Sequence, residues 1–305
     1  MKKILKLLLK PKYTFWAVCN LILDRALAPL MSDKLFLKMK YLLIMGKWPN
    51  IDHPATFNEK LQWLKINDRK SIYTTMVDKY ETKKYVSNLI GEEHIIPTLG
   101  VWDQVEDIDF DSLPNQFVLK VTHDSGGLCI CRDKTTFDRE KAIKILRKAL
   151  NRDYFLQNRE WPYKNVKRRI IAEQFLSGMG GQNYQLLDYK FYCFNGEPKF
   201  LYISKGMENH KTARVSFVSL EWKQASFGRL DYKAFDEIPP RPENFDDMVH
   251  IARLLSKGTQ FLRVDLYNHY GKILFSELTF FPCSGMMPFA PNSKDLEIGD
   301  LLKLD

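Results

Sequence analysis

The stretch FLRVDLYNHYGKILFSELTF, residues 261–280, presents two carboxylates and an arginine on what alternation makes one face of a β-hairpin. Leu262, Val264 and Leu266 alternate with Arg263, Asp265 and Tyr267, and the polar run at 268–272 reverses the chain into a second apolar-rich strand. A reversal near Gly271 brings Asp265 and Glu277 onto adjacent strands. Two acids and a cation on otherwise apolar strands lose hydration, so they need either each other or a ligand such as Mg²⁺ with phosphate. A structural salt bridge and a ligand site are both open on these residues alone, and the rest of the chain has to decide.

With 305 residues, 45% of them hydrophobic, the chain can bury a sizeable core and has the length for two or three subdomains. A formal charge of +9 and a pI near 9.1 favour anionic partners such as nucleotides, acidic glycans or an anionic membrane surface. Nucleic acid is not expected, because the chain has no zinc-finger spacing, no ribonucleoprotein aromatic motif and no arginine-rich tail. Cys129 and Cys131 lie two apart, while Cys19, Cys193 and Cys283 are scattered, which gives neither a disulfide framework nor a paired zinc motif. The expected setting is therefore reducing and cytoplasmic. The beginning, MKKILKLLLKPKYTFWAVCNLILDRALAPL, is basic, yet Lys6, Lys10, Pro11 and Lys12 interrupt the apolar run a signal peptide needs, and 13–23 is too short to span a bilayer. Such a segment either packs on the domain as a helix or lies on the inner, anionic surface of a membrane.

Residues 1–55 read as helical and basic. TFNE at 56–59 is a capping box that opens a helix with Phe57, Leu61 and Leu64 on one face. A second helix is expected over 77–89, stopped by Gly91, followed by the short strands HIIPTL and GVW. In QFVLKVTHDSGGLCICR a strand carrying Lys120 runs into His123, Asp124, Ser125, Gly126 and Gly127 before 128–132 resumes the alternation. A lysine beside a glycine-rich loop suits a phosphate, whose oxygens the ammonium and closely approaching backbone N–H groups would meet; an ordinary hairpin turn is the plain alternative. An amphipathic helix spans 138–150 with Ala142, Ile145, Leu146 and Ala149 inward. RIIAEQFL at 169–176 reads as a buried strand with one acid and opens into the loop SGMGGQ. In DYKFYCFNGEPKFLYIS, Asn195 and Gly196 mark a hairpin turn, and Asp188 and Lys190 share a face with Tyr192 and Phe194. The span 206–242 reads as loop-rich and holds His210, Lys211 and Arg214, ahead of a helix near 245–257.

The ordered set TFNEKLQWLK, DKY, IIPTLGVWD, FVLKVTHDSGG, AEQFL, DYKFYCFNG, RVDLYN and FSELTFFPCSG resembles the ATP-grasp superfamily, and specifically its TupA-like branch, which is linked to bacterial surface-polysaccharide and teichuronopeptide synthesis. The resemblance covers about residues 55–290. It implies an α+β fold in which two α+β subdomains grip ATP, preceded by the helical N-terminal segment. Its divisions would be 1–55, a 56–114 N-terminal α/β part, 115–172 as the small subdomain with a glycine-rich lid, and 173–305 as the C-terminal subdomain with the Mg²⁺ hairpin. Residue by residue, Lys120 would contact the ATP phosphates beneath a lid of Ser125, Gly126 and Gly127, and Lys79 would be a second nucleotide-side lysine. Glu173, Gln174, Phe175 and Leu176 would form the hinge meeting the adenine. Asp188 and Lys190 would point toward ribose and the terminal phosphate, Asp265 and Glu277 would hold Mg²⁺, and Arg263 would steady the transferred phosphate. His123, Arg214 and Thr279 are candidates for substrate contact. Thr279 stands where many ATP-grasp enzymes carry an asparagine ligand, so a second metal is in doubt.

These residue types suit the transfer of a γ-phosphoryl group to a carboxylate, because Mg²⁺, lysine and arginine neutralise the charge spread over the phosphate oxygens. Attack of an amine on the acyl phosphate then gives an amide, with a closing lid excluding water. The first expectation is thus a carboxylate–amine ligase that joins an amino-group donor to an acidic, uronic-acid-bearing glycan. A glycosyltransferase of the same pathways is the alternative; it would want a DxD-like acid pair, and the chain offers FDD at 245–247, where acids suit a helix start. A small-molecule or glycan kinase on the same fold comes third, and a noncatalytic membrane-associated module last.

Overall fold

The computed structural model describes residues 18–20, 22–177 and 186–305. The beginning of the basic segment, 1–17, and most of the SGMGGQ loop, 178–182, lie outside the described residues. The elements in order are α1 (Asp33–Met45), α2 (Phe57–Asn67), α3 (Ile72–Val77), α4 (Glu81–Ile90), β1 (Thr98–Trp102), β2 (Phe117–Val121), β3 (Leu128–Cys131), α5 (Arg139–Leu150), α6 (Tyr154–Asn158) and β4 (Ile170–Gln174). There follow β5 (Asp188–Phe194), β6 (Glu197–Lys205), β7 (Arg214–Ser219), β8 (Gly228–Arg229), α7 (Phe245–Ser256), β9 (Phe261–His269), β10 (Lys272–Thr279), β11 (Phe289–Ala290) and α8 (Lys294–Leu301). The architecture is α+β, with a four-stranded antiparallel sheet of order β1-β4-β2-β3, a five-stranded one of order β10-β9-β5-β6-β7 and a small β8–β11 pair.

Local chemistry accounts for most boundaries. The capping box at the start of α2 is complete: the Thr56 hydroxyl accepts the Glu59 N–H while the Glu59 carboxylate accepts the Thr56 N–H, satisfying two donors a helix start otherwise leaves unpaired. Between β9 and β10 the chain reverses through Tyr270 and Gly271, both at positive φ, with the Gly271 N–H held by the Asn268 side chain. The helix expected over 77–89 starts later, at Glu81, and Val77 instead ends the short helix that precedes it. Asp78 ends α3, its carboxylate accepts the N–H groups of Tyr80 and Glu81 at the start of α4, and it pairs with Arg169 at 2.9 Å. The break frees Lys79 from either helix face. The 206–242 span is also more ordered than its turn-rich composition suggests, since β7 adds an edge strand to the five-stranded sheet.

Each sheet has one face for packing and one for chemistry. In the four-stranded sheet Phe117, Leu119 and Val121 pack on Ala142, Leu146 and Ala149 of α5, which leaves Val118 and Lys120 on the opposite face. In the five-stranded sheet Phe191 stacks on Phe245 of α7 with ring centroids 5.8 Å apart. The opposite face is divided along its length. Tyr192, Phe194 and Phe261 gather around Phe57 of α2, with Phe57 and Phe261 4.9 Å apart, whereas Asp188, Lys190, Arg263 and Asp265 occupy the remainder. A smaller cluster of Leu23, Ala28, Phe36, Leu37 and Ile51 forms the core of the N-terminal unit.

Gly127 illustrates how packing explains a residue that looked like a phosphate cradle. A Cβ placed there would lie 2.6 Å from the Ala149 Cβ and 2.7 Å from a Val121 methyl group, so the loop is glycine because helix and strand close over it. Gly127→Ala is expected to lower stability by about 1–3 kcal/mol through overpacking, read as a drop in the unfolding midpoint. An unchanged midpoint would show that the loop can move aside.

Candidate active site

A cleft of about 650 Å³ opens between the two sheets. Lys79, Lys120, Ser125, Gly127, the hinge residues Glu173, Gln174, Phe175 and Leu176, and Asp188, Lys190 and Glu277 all line it. Val118, Ile130, Phe175, Leu186 and Met207 give it an apolar part, so the cleft combines an apolar pocket with a cluster of cations.

The hairpin's register is what brings the ionic residues of the larger sheet together. Phe275 pairs with Leu266, but Glu277, not Ser276, stands opposite Asp265, and Thr279 stands opposite Arg263. The extra residue, Ser276, is a β-bulge. Because strand side chains alternate, shifting the count by one at this point moves Glu277 onto the face of Asp265. Arg263 donates two bonds of 2.7 Å to Asp265 and one of 3.0 Å to Glu277, and Lys190 on the neighbouring strand donates to Asp265 at 2.6 Å. Thr279 accepts from Arg263 at 3.0 Å. Asp265 is wholly buried and does not line the cleft, while the Glu277 side chain is 41% exposed and does. Burial would raise the Glu277 carboxyl, but the charges of Arg263, Lys190 and Lys79 overcome it and hold the group down at about 2. Burial pushes Asp265 up against the opposing pull of Arg263 and Lys190.

The smaller sheet carries a matching arrangement. Glu173 is buried with one oxygen paired to Lys120 and the other to Lys83 at 2.8 Å. Against the cost of burial, these two ammonium groups keep its carboxyl below the usual range. Lys79, in the gap between α3 and α4, donates its N–H to Thr122 and its ammonium to the Asp124 carbonyl at 2.8 Å, and burial lowers its affinity for the proton. The acid of the hinge is thus taken by lysines, leaving the hinge backbone and the Phe175 ring to face a ligand.

Other sequence candidates stand apart from the cleft. His123 is buried and bonds the Arg152 carbonyl at 3.0 Å, tying the 151–169 segment to the glycine loop. Gly126 donates its N–H to the Asp124 carboxylate. Arg214, at the start of β7, bonds the carbonyls of Thr212 and Ala213. Lys83, in the first turn of α4, was legible as a further cation in DKYETKKY and was missed. Arg132 and Glu208 also line the cleft and pair at 2.7 and 2.9 Å, linking the two sheets across its mouth, with the guanidinium 5.6 Å from the centre of the Phe175 ring. Their separation of 76 residues left no local signal.

The donor set suits a hard cation and a polyphosphate. Glu277 offers a carboxylate to the cleft, and Asp188 Oδ1 is buried without a hydrogen bond, its cationic neighbour Lys190 lying at 3.4 Å. Among the described residues no group of three or more His, Cys, Asp or Glu side chains forms a closed metal site. Mg²⁺ held here would have to take the rest of its shell from phosphate oxygens and water, as that ion commonly does.

Against known proteins, the family model for TupA-like ATP-grasp proteins matches residues 59–303. The chain belongs to the TupA-like ATP-grasp family. Its two α+β halves around a cleft are therefore those of the ATP-grasp fold, which implies ATP as the ligand. Among solved structures it is similar to D-alanine–D-alanine ligase from Bacillus anthracis complexed with ATP, at 14% identity over 75% of this chain and 63% of that one, TM-score 0.41. It is also similar to D-alanyl-alanine synthetase A from Vibrio cholerae, at 14% identity over 70% and 57%, TM-score 0.39. D-cycloserine synthetase DcsG matches at 13% identity over 68% and 63%, TM-score 0.37. The chain spans less than two thirds of the length of each of these three structures. Among curated proteins none matches the sequence.

The low affinity of Glu277 for a proton has a consequence for stability. A carboxyl held at about 2 when folded, against 4.5 for the free group, contributes stability that is complete above about pH 4.5 and is lost as the pH falls toward 2. Glu277→Gln is expected to be less stable than the parent at pH 7, with the gap narrowing between pH 5 and pH 3 in urea unfolding. A gap that stays constant over that range would mean the carboxylate is not held by its cations.

Proposed function

We propose that the protein is an ATP- and Mg²⁺-dependent ligase that joins an amine to a carboxylate through an acyl phosphate. What carries the reading is one cleft, in an ATP-grasp chain, lined on one wall by Lys79 and Lys120 and on the other by Asp188, Lys190 and Glu277. In this reading 115–172 is the small subdomain with its glycine-rich lid, 173–305 the C-terminal subdomain, and 56–114 the part that precedes them. Val118, Ile130, Phe175 and Met207 take the adenine beside the hinge backbone of 174–176. Lys79 and Lys120 meet the phosphates, and Asp188 takes the ribose side. Glu277, which reaches the cleft, and Asp265, buried behind it, would hold Mg²⁺, whose charge would help neutralise the transferred phosphate.

The step balances simply. An oxygen of the acceptor carboxylate bonds to the γ-phosphorus, and ADP departs. The amine then attacks the acyl carbon, releases phosphate and gives up a proton to water, leaving an amide. Arg263 stays buried behind the reacting phosphate and supplies fixed positive charge. The carboxylate belongs, in this proposal, to a uronic-acid-containing bacterial surface polysaccharide such as a capsule, O-antigen or teichuronopeptide, and the amine to an amino acid or peptide unit. The expected setting is the cytoplasm. No observation favours a glycosyltransferase: the FDD acids sit in the first turn of α7, where Asp246 pairs with Arg241. A kinase on the same nucleotide site is the reading the experiments must separate.

Asp265→Asn and Glu277→Gln are each expected to lower Mg²⁺-supported turnover at least about tenfold. MgATP should raise the melting temperature of the parent, and Lys120→Ala should reduce that rise as well as lower the unliganded midpoint, because it leaves the buried Glu173 carboxylate with Lys83 alone. No stabilisation by MgATP, with all three variants as active as the parent, rejects the nucleotide site.

ADP release should require both an acidic glycan and an amine, and hydroxylamine should trap the activated carboxylate as a hydroxamate. A stable phosphorylated product without hydroxamate, from acceptors that support ADP release, would make the protein a kinase.

A further inference from the structure

The open face of the β9–β10 hairpin does not end at the cleft. Beyond Glu277, Thr279 is half-buried opposite Arg263, and the strand then runs into the turn Pro282–Gly285. That turn is strained: Cys283 and Ser284, at φ 50° and 53°, are successive left-handed residues that bear side chains. It is held from behind. The Ser284 carbonyl accepts from Gln62 at 3.2 Å and from the wholly buried Lys65 at 2.8 Å, while its hydroxyl donates to the buried Glu160 at 2.7 Å. Ser284 thus faces inward, and Cys283 is left exposed.

Cys283 sits in a hollow rather than on a ridge. Although the residue is exposed, loss of hydration among its neighbours pushes the thiol up, against the pull of the charges on Arg229 and Arg263. Glu277, which lines the cleft, combines exposure with crowding in the same way. Arg229 is brought there by the β8–β11 pair, in which it stands opposite Phe289, four residues after the turn. Its side chain is 6% exposed, lies 4.7 Å over the Tyr232 ring and gives Nε and Nη2 to the Asp231 carboxylate at 2.8 and 2.6 Å. Nη1 is left for another acceptor. A second donor is the hydroxyl of the wholly buried Tyr192, which makes no hydrogen bond among the described residues. Burial keeps that hydroxyl protonated, and the groups acting on it are Tyr202, Arg263, Cys283 and Arg229.

An unpartnered buried hydroxyl and an arginine with a donor to spare, both set around one exposed hollow, suit an anion that accepts from several groups at once. Strand register says which anion. Asp188, Lys190 and Tyr192 follow one another on a single face of β5, and Tyr192 stands opposite Arg263. With Asp188 on the ribose side and Lys190 at the terminal phosphate, Tyr192 is the next position beyond the phosphate, where the group to be phosphorylated has to enter. We propose that the hollow at Cys283 seats the acceptor carboxylate, with Arg229 as its cationic partner and the Tyr192 hydroxyl as a second donor. This inference rests on the ligase reading of the cleft. Asp231 and the Tyr232 ring hold the guanidinium in place, and the thiol adds no competing charge.

Cys283 is its own reporter. On full-length protein, the rate at which iodoacetamide labels Cys283 is followed by mass spectrometry of its peptide, without sugar, with glucuronate and with glucose. Glucuronate should slow labelling and glucose should not. In Arg229→Gln the glucuronate concentration that gives half-protection should rise at least about tenfold, the usual worth of a charge-assisted hydrogen bond. Arg229→Lys, which keeps a charge beside Asp231 but loses the fork, should fall between parent and Arg229→Gln, and it carries the test if Arg229→Gln does not fold. MgATP should raise the melting temperature of these variants as much as the parent's. No protection by glucuronate overturns the proposal, and if MgATP still stabilises the parent, the nucleotide site stands without it. Equal protection by glucose, or half-protection unchanged in the arginine variants, overturns it too. So does a loss of MgATP stabilisation in those variants, since Arg229 would then serve the nucleotide.

Discussion

The burial of Asp265 constrains everything around it. A carboxylate removed from water costs several kcal/mol unless it is paired, and this one satisfies the demand with two bonds from Arg263 and one from Lys190. The three residues come from two strands, and the bulge at Ser276 adds Glu277 from a third. Slipping the β9–β10 register by one residue would turn Glu277 away and leave Arg263 one acid short. Removing a partner from such a cluster typically costs about 3–5 kcal/mol, far more than a bulge does. The chemistry-bearing face and the sheet's register are therefore the same constraint.

Glu173 plays the corresponding part on the facing wall, where it holds Lys83 and Lys120. Each wall thus contains a buried acid with cations arranged around it. This removes the opposition between a structural salt bridge and a ligand site that the hairpin sequence left open. Burial lowers the proton affinity of Lys79 and of Lys83 alike, and Glu173 opposes that shift at Lys83 through its charge and its hydrogen bond. A lysine held by an acid is also kept in place. In the proposed reaction an arriving phosphate would meet cations whose orientation is already fixed, with the acid behind them limiting the cost of their desolvation.

How much of this was legible depended on sequence distance. The capping box at Thr56 and Glu59, the Gly271 reversal, the Asn195–Gly196 turn and the alternation in β2 and β9 are local signals, and the fold follows them. The ordered motifs pointed to the ATP-grasp fold and to the lysines, hinge and hairpin that line the cleft. What local reading could not supply was the set of contacts made across long separations. Asp78 standing between two helices and binding Arg169, Glu173 consumed by two lysines, and Arg132 reaching Glu208 each depend on a partner tens of residues away. His123 shows the converse: beside a glycine loop it looked available to a ligand, whereas its burial against the Arg152 carbonyl makes it a strut.

The net charge also needed the structure to be interpreted. Taken over the whole chain, +9 favours nucleotides, acidic glycans and membranes alike. Divided at residue 55, it leaves a body that is close to neutral and a small appendage that is strongly basic. The body's capacity for an anion lies in the local pairing of lysines with buried acids, which bulk charge does not report. The three acids of the appendage are already paired, so its excess of lysine has no acid within residues 1–55 to balance it. One number therefore averages two regions of different character, and only in the body can the cations be matched to a geometry, that of lysines set around buried acids.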